Sequence, residues 1–270
     1  MSSLPSIFTS TIGRKLIMGL TGLFLVSFLL VHLSGNVLLF KSDGGTAFNQ
    51  YTRFMTTNTI IRIMEWVLFA GFIVHIIYAA VLTSQNQKAR PQGYAFKQRN
   101  SSNSSWFSRN MGLTGSIVLL FLVVHLTMFW GKYKFGDSTH EVSLVQAYEE
   151  SWKVKEGITV GGVSFEPNHY VDFEELSKLD PSLQTQTKVQ AISMTEVVKA
   201  SFSQWYIVLF YVISMVLIAF HLNHGFQSGF RTLGLVHPKY TPLVSKIGTA
   251  FAVVVPLIFG LMPIYYFFVN

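Results

Sequence analysis

The 270-residue chain has no cysteine, which excludes disulfides, thiolate-held metal ions and clusters, and the Cys-x-x-Cys-His attachment of c-type haem. Charge is scarce as well. Asp, Glu, Lys and Arg together make up 12% of the residues, about half the share of a soluble domain. No Asp or Glu falls in the middle of a long apolar run, so carboxylate-held zinc or iron sites are excluded there. What is abundant is apolar: 50% of residues are hydrophobic and the mean hydropathy is +0.41.

Five runs, 16–40, 60–82, 111–133, 205–226 and 244–268, are each long enough to cross a hydrocarbon core of about 30 Å at 1.5 Å per residue. The first is too long for a signal-peptide core and lacks an obvious small-residue cleavage site, so it is expected to stay as a helix. The fold class expected is an all-α integral membrane protein, one membrane domain over 1–270 with five transmembrane helices. Its surroundings are lipid. The net charge of +7 is no nucleic-acid signal, because the basic residues sit in particular loops.

Those loops predict an orientation. Segment 84–110 holds Lys88, Arg90, Lys97, Arg99 and Arg109 with no acid. Arg14 and Lys15 precede the first run, and Arg231, Lys239 and Lys246 lie between the fourth and fifth. Short basic loops stay cytoplasmic, which puts the N-terminus in and the C-terminus out. The acidic connection 134–203 then lies outside, with Glu149, Glu150, Asp172, Glu174, Glu175 and Asp180. It is too long to be structureless. Helix-like spacing over 141–152, a hairpin over 158–165 around Gly161-Gly162, and a capping box Ser193-x-x-Glu196 are expected in it. Trp66, Trp130 and Trp205 fall near outer helix ends, where interfacial aromatic residues are common.

The pentapeptide Met18-Gly19-Leu20-Thr21-Gly22 recurs as Met111-Gly112-Leu113-Thr114-Gly115, 93 residues on. At the same offset Phe28, Leu29, Val31, His32 and Leu33 fall on Phe121, Leu122, Val124, His125 and Leu126. A histidine inside a membrane run is expensive and marks a functional site by default. Two placed alike point to one shared ligand. The second run adds His75 and the fourth His221 and His224. His32 and His125 lie about 21–24 Å from the inner ends of their runs, and His75 and His221 about 8–10 Å. Four histidines therefore form two pairs at two depths, about 13 Å apart.

Two stacked bis-histidine sites between four helices are what two b-type haems require: each iron takes one imidazole from each of two helices. Small residues beside the ligands (Gly35, Ala79, Gly225) leave room for the macrocycle edge. His224 suits a propionate or backbone contact better than iron. His140, His169 and His237 are loop residues without a ligand signal. The open alternative of another class is a haem-free transporter whose histidines relay protons.

With Thr21-Gly22-Leu23-Phe24-Leu25 ahead of His32, and His221-x-x-x-Gly225 followed by Gly234, the chain resembles the cytochrome b subunit of succinate:quinone oxidoreductase and its fumarate-reductase relatives. The form resembled has one membrane polypeptide, five helices and two haems. The resemblance implies that His32 and His125 hold the haem distal to the catalytic subunits, and His75 and His221 the proximal one. It implies a cytoplasmic flavoprotein and an iron–sulfur protein as partners, with no FAD or iron–sulfur cluster on this chain. The iron–sulfur subunit would dock on 84–110 and 227–246. A quinone, commonly menaquinone, is implied near the distal haem, and the bacterial inner membrane as the location. Whether the complex forms a higher oligomer stays open. The long acidic loop departs from the family pattern. A dihaem cytochrome b of a formate dehydrogenase or hydrogenase is the alternative of the same class.

For quinone protonation the candidate is Glu65, ten residues before His75 and so about 15 Å further out on that helix. A partly desolvated carboxyl there favours the neutral acid and suits proton exchange. An interfacial pair with Arg62 is the structural alternative. Trp66 and Trp130 are candidates to flank the quinone ring.

Overall fold

A segment apolar on every side cannot leave its backbone groups to lipid, so it closes them internally as a helix. The computed structural model describes residue 8 and residues 10–89, 110–136 and 138–269. It contains α1 Thr11–Asn36, continued by a 3₁₀ turn Val37–Phe40, then α2 Thr46–Thr57, α3 Thr59–Lys88 and α4 Met111–His125. A π-helical turn, Leu126–Gly131, joins α4 to α5 Lys132–Phe135. After a connecting segment come α10 Trp205–Thr232 and α11 Thr241–Val269. Five helical spans are long and apolar enough to cross a membrane: Thr11–Phe40, Thr59–Lys88, Met111–Phe135, α10 and α11. The chain is an integral membrane protein, mostly helical.

The apolar runs locate these helices and miss their basic ends. α1 starts five residues before its run, and α3 and α10 each continue six residues past theirs. Hydropathy marks where lipid stops, whereas the backbone ladder continues into water. Lys88 and Arg231 stand in the last turns of α3 and α10, where a cation meets the negative end of the helix dipole. The basic stretch 90–109 lies outside the described residues.

The chain divides into two compact units. The first comprises residues 1–32, 63–120 and 212–260. Its helices meet at glycines. A Cβ added to Gly19 of α1 would lie 3.6 Å from the Gly229 backbone of α10, and one on Gly71 of α3 would lie 3.0 Å from the Phe24 ring of α1. One on Gly112 of α4 would come within 3.2 Å of Thr83 on α3. α11 joins α10 through Gly248 against the Phe226 ring, and through the Thr249 hydroxyl, which donates to Asn223 Oδ1 at 3.0 Å. Small residues at such crossings let backbones approach in lipid, where no hydrophobic force drives helices together.

The second unit comprises residues 33–62, 121–211 and 261–270. Beside the membrane helices, the connecting segment folds as a small α/β structure, more than the hairpin and short helix expected of it. Strands β1 His140–Ser143, β2 Lys153–Val154, β5 His169–Tyr170 and β6 Lys188–Ile192 form an antiparallel sheet in the order β1-β6-β2-β5. Short helices α6 Leu144–Glu149, α7 Phe173–Ser177 and α8 Pro181–Gln186 surround it. Leu144, Ala147, Val154, Val171, Ala191 and Ile192 are its most buried apolar residues. The hairpin is present: β3 Ile158–Val160 pairs with β4 Val163–Phe165 across Gly161 and Gly162, both at positive φ, the conformation a two-residue turn needs. Of the helix expected over 141–152, only 144–149 is helical; Glu141 to Ser143 pair instead with Lys188 to Gln190. Ser193 caps α9 Met194–Phe202 by accepting the Glu196 amide at 3.3 Å. The Glu196 carboxylate binds Lys199, so only half of the box forms.

α2 clasps this α/β structure. Asn49, 3% exposed, accepts three hydrogen bonds at Oδ1, from Ser193 Oγ, Thr195 N and Thr195 Oγ1, at 3.0–3.1 Å. Thr195 Oγ1 is also placed 3.1 Å from the Gly45 carbonyl. Arg53 pairs with Asp172 and donates to the Val171 carbonyl. Asn49 thus holds buried donors that would otherwise lie unsatisfied.

Lys153, 9% exposed, donates from Nζ to the Tyr133 carbonyl at 3.0 Å and lies over the Tyr133 ring. Burial, reinforced by Lys155 and Lys134, pulls its pKa down to about 8. Between that value and the ordinary 10.5, the unfolded chain holds a proton that the folded chain has released. Stability therefore rises with pH across this window, by at most about 3 kcal/mol. Above it the trend reverses at Tyr170, whose phenol is raised by burial, so the folded state resists ionisation that the unfolded chain allows. Hydrogen exchange at β2 and β6 amides, corrected for intrinsic rates, should slow from about pH 7.5 to 9.5. Lys153→Met should abolish that slowing; an unchanged slope in this variant would assign it to another group.

Candidate functional site

The repeated pentapeptide has a structural role at both copies. In α1 a Cβ added to Gly22 would lie 3.5 Å from Cε1 of His75, and in α4 one added to Gly115 would lie 3.5 Å from Cε1 of His221. The two copies of one motif therefore each receive one histidine edge-on, from α3 and α10 respectively. Any side chain longer than a methyl at these glycines would press on an imidazole. His32 lies ten residues beyond Gly22 on α1, and His125 ten beyond Gly115 on α4, about 15 Å along each helix.

His75 is held further by Thr21. The threonine hydroxyl approaches the Ile17 carbonyl at 2.8 Å and the Met18 carbonyl at 3.2 Å, and lies 3.1 Å from His75 Nδ1. A hydroxyl has one proton. When a helix carbonyl takes it, the oxygen accepts from His75 Nδ1–H and the Nε2 lone pair is left open. His221 Nδ1, by contrast, is buried without a hydrogen-bond partner among the described residues. Thr114, the repeat mate of Thr21, turns to its own helix at the Met111 carbonyl, 3.1 Å away.

The other two histidines sit in aromatic surroundings. His32 stacks on Phe28 at 5.3 Å between ring centroids, and His125 stacks on Phe121 at 5.5 Å, again the same repeat pair. His32 also meets Phe259 of α11 at 5.5 Å. His125 lies 5.2 Å from Phe129, and its Nδ1 is 3.3 Å from the Tyr211 hydroxyl. The π-helical turn begins at the residue after His125. Such turns insert one extra residue and re-aim the side chains beside them, and they are frequent at functional sites. Hydropathy carries no trace of it.

All four histidines are half-buried, and no residue of α3 is fully buried. The half-buried apolar setting of His75 and His221, each bordered by a glycine, fits a large flat metallo-ligand bound through nitrogen. His224 is half-buried one turn from His221, and a Cβ added to Gly225 would meet nothing within 4 Å. At Gly35, where room for the macrocycle edge is expected, a Cβ would overlap the Tyr51 ring of α2, so this glycine admits a protein side chain.

Glu65 is half-buried on α3. Trp66 is 73% exposed, and Trp130 packs edge-on to Phe135 with Lys134 Nζ 5.0 Å over its ring. An exposed indole and one under a lysine are what interfacial anchors look like. His169, given no role by the sequence, meets Glu175 at 3.2 Å and Asp172 at 4.0 Å in a group spaced like metal ligands. Arg53 occupies Asp172, and Glu175 accepts the Asp172 amide, so the acids already have partners. No family model, no curated protein and no solved structure matches the chain.

Proposed function

We propose that the chain is the dihaem cytochrome b membrane subunit of a succinate:menaquinone oxidoreductase in a bacterial cytoplasmic membrane. The observation that carries this reading is the duplicated cradle: one repeated motif presents a glycine edge to His75 and, in its second copy, to His221. The contacts of the first unit support the four-helix dihaem bundle. α1 meets α3 at Gly22 and Gly71, α3 meets α4 at Gly112, α4 meets α10 at Gly115, and α10 returns to α1 at Gly229.

Two b-type haems, when bound, supply one-electron carriers at two depths of the bilayer. His75 and His221 hold the proximal one through Nε2, and His32 and His125 the distal one. The apolar helix faces exclude water from both. The basic ends of α1, α3 and α10 face the cytoplasm and receive the iron–sulfur and flavoprotein subunits, and the acidic α/β structure lies outside. Glu65 exchanges the proton of the quinone, and Trp66 on the same helix is the candidate beside it, with Trp130 the second candidate to flank the ring.

The test is purification of the complex from its native membrane. Succinate should reduce the haem, with flavin copurifying. Reduction by formate or hydrogen, and none by succinate, would move the chain to the other dihaem cytochromes b.

A further inference from the structure

The second ring nitrogen of a metal-binding histidine decides which nitrogen binds and how basic it is. Of the two histidines in the cradles, His75 has an assigned partner there and His221 has none among the described residues. The partner is Thr21, 3.1 Å from Nδ1: with Nε2 on the metal, Nδ1 carries the imidazole proton and the Thr21 oxygen accepts it, which leaves the hydroxyl proton for the Ile17 carbonyl at 2.8 Å. Ile17, Met18, Thr21 and His75 all belong to the first unit, and the hydroxyl sits one residue before the glycine that borders the ring. The repeat would supply the same threonine to His221, but Thr114 is directed at Met111.

We propose that Thr21 is a positioning residue that makes the proximal site electronically one-sided: it fixes the His75 tautomer and raises the donor strength of its Nε2, while His221 is left without that support. This rests on the dihaem reading above. An acceptor on Nδ1–H pushes electron density toward the metal and stabilises the oxidised state. Loss of the acceptor should therefore move the midpoint potential of one haem upward and leave the other in place. No proton or electron need pass through Thr21.

The experiment compares Thr21→Val, which keeps the shape and loses the oxygen, with Thr21→Ser, which keeps the oxygen and loses the methyl. Both are made in the full complex. Redox titration and low-temperature electron paramagnetic resonance are read after confirming the haem-to-protein ratio. Thr21→Val should shift one midpoint to a more positive value, with a change in the highest g-value of that haem only. Thr21→Ser should behave as wild type. Loss of one haem in Thr21→Val with full retention in Thr21→Ser also supports the role, since only the acceptor separates the two variants. Equal behaviour of both variants, whether both normal or both impaired, overturns it. A wild-type complex without haem would overturn the dihaem reading itself, a result distinct from either.

Discussion

His75→Ala is expected to remove one of two haem b components, about half of the reduced-minus-oxidised absorbance, and His221→Ala to remove that same component. The two histidines come from different helices, yet each meets the same glycine of a duplicated motif at the same added-Cβ distance of 3.5 Å. A ligand shared by the two imidazoles would account for that equivalence. Gly22→Leu should mimic the loss, because its side chain would enter the space of the His75 ring. His237→Ala, on the exposed connection between α10 and α11, should leave both components unchanged. Spectra in which His75→Ala and His221→Ala delete different components would show that the two do not share a site.

The second large effect lies in the second unit. Asn49→Ala should destabilise the α/β structure by about 2 kcal/mol or more, since it strands two buried donors, the Ser193 hydroxyl and the Thr195 amide, while the Thr195 hydroxyl keeps the Gly45 carbonyl. Asn49→Asp keeps the acceptor and should lose less. Hydrogen exchange of the β1 and β6 amides in detergent reads the difference directly. A change within about 0.5 kcal/mol for Asn49→Ala would mean that Ser193 and Thr195 find other acceptors at no cost.

The membrane helices were legible because lipid leaves the backbone one local solution, and hydropathy reports lipid. The 158–165 hairpin was legible because two adjacent glycines at positive φ are a local signal. The four-stranded sheet was not. Its strands are two to five residues long, and β1 finds β6 nearly fifty residues later. Glu141 to Ser143 read as helix by spacing and became strand by tertiary pairing. At the site, the duplicated motif and its histidines were visible, but the purpose of the motif was not. Sequence spacing drew attention to Gly35 beside His32, which instead admits Tyr51, and passed over Gly22 and Gly115, which border histidines of other helices. A glycine shows where something comes close, not what comes. The hydroxyl of Thr21 and the π-helical turn after His125 likewise depend on backbone geometry between distant segments.

The most direct measurement is haem content. The chain, purified in mild detergent and assayed as the pyridine haemochrome against protein mass, is expected to carry two haems b, non-covalently bound and low-spin with two histidine ligands each. A purified, folded chain with no haem absorbance would contradict the assignment and leave the four histidines to proton relay.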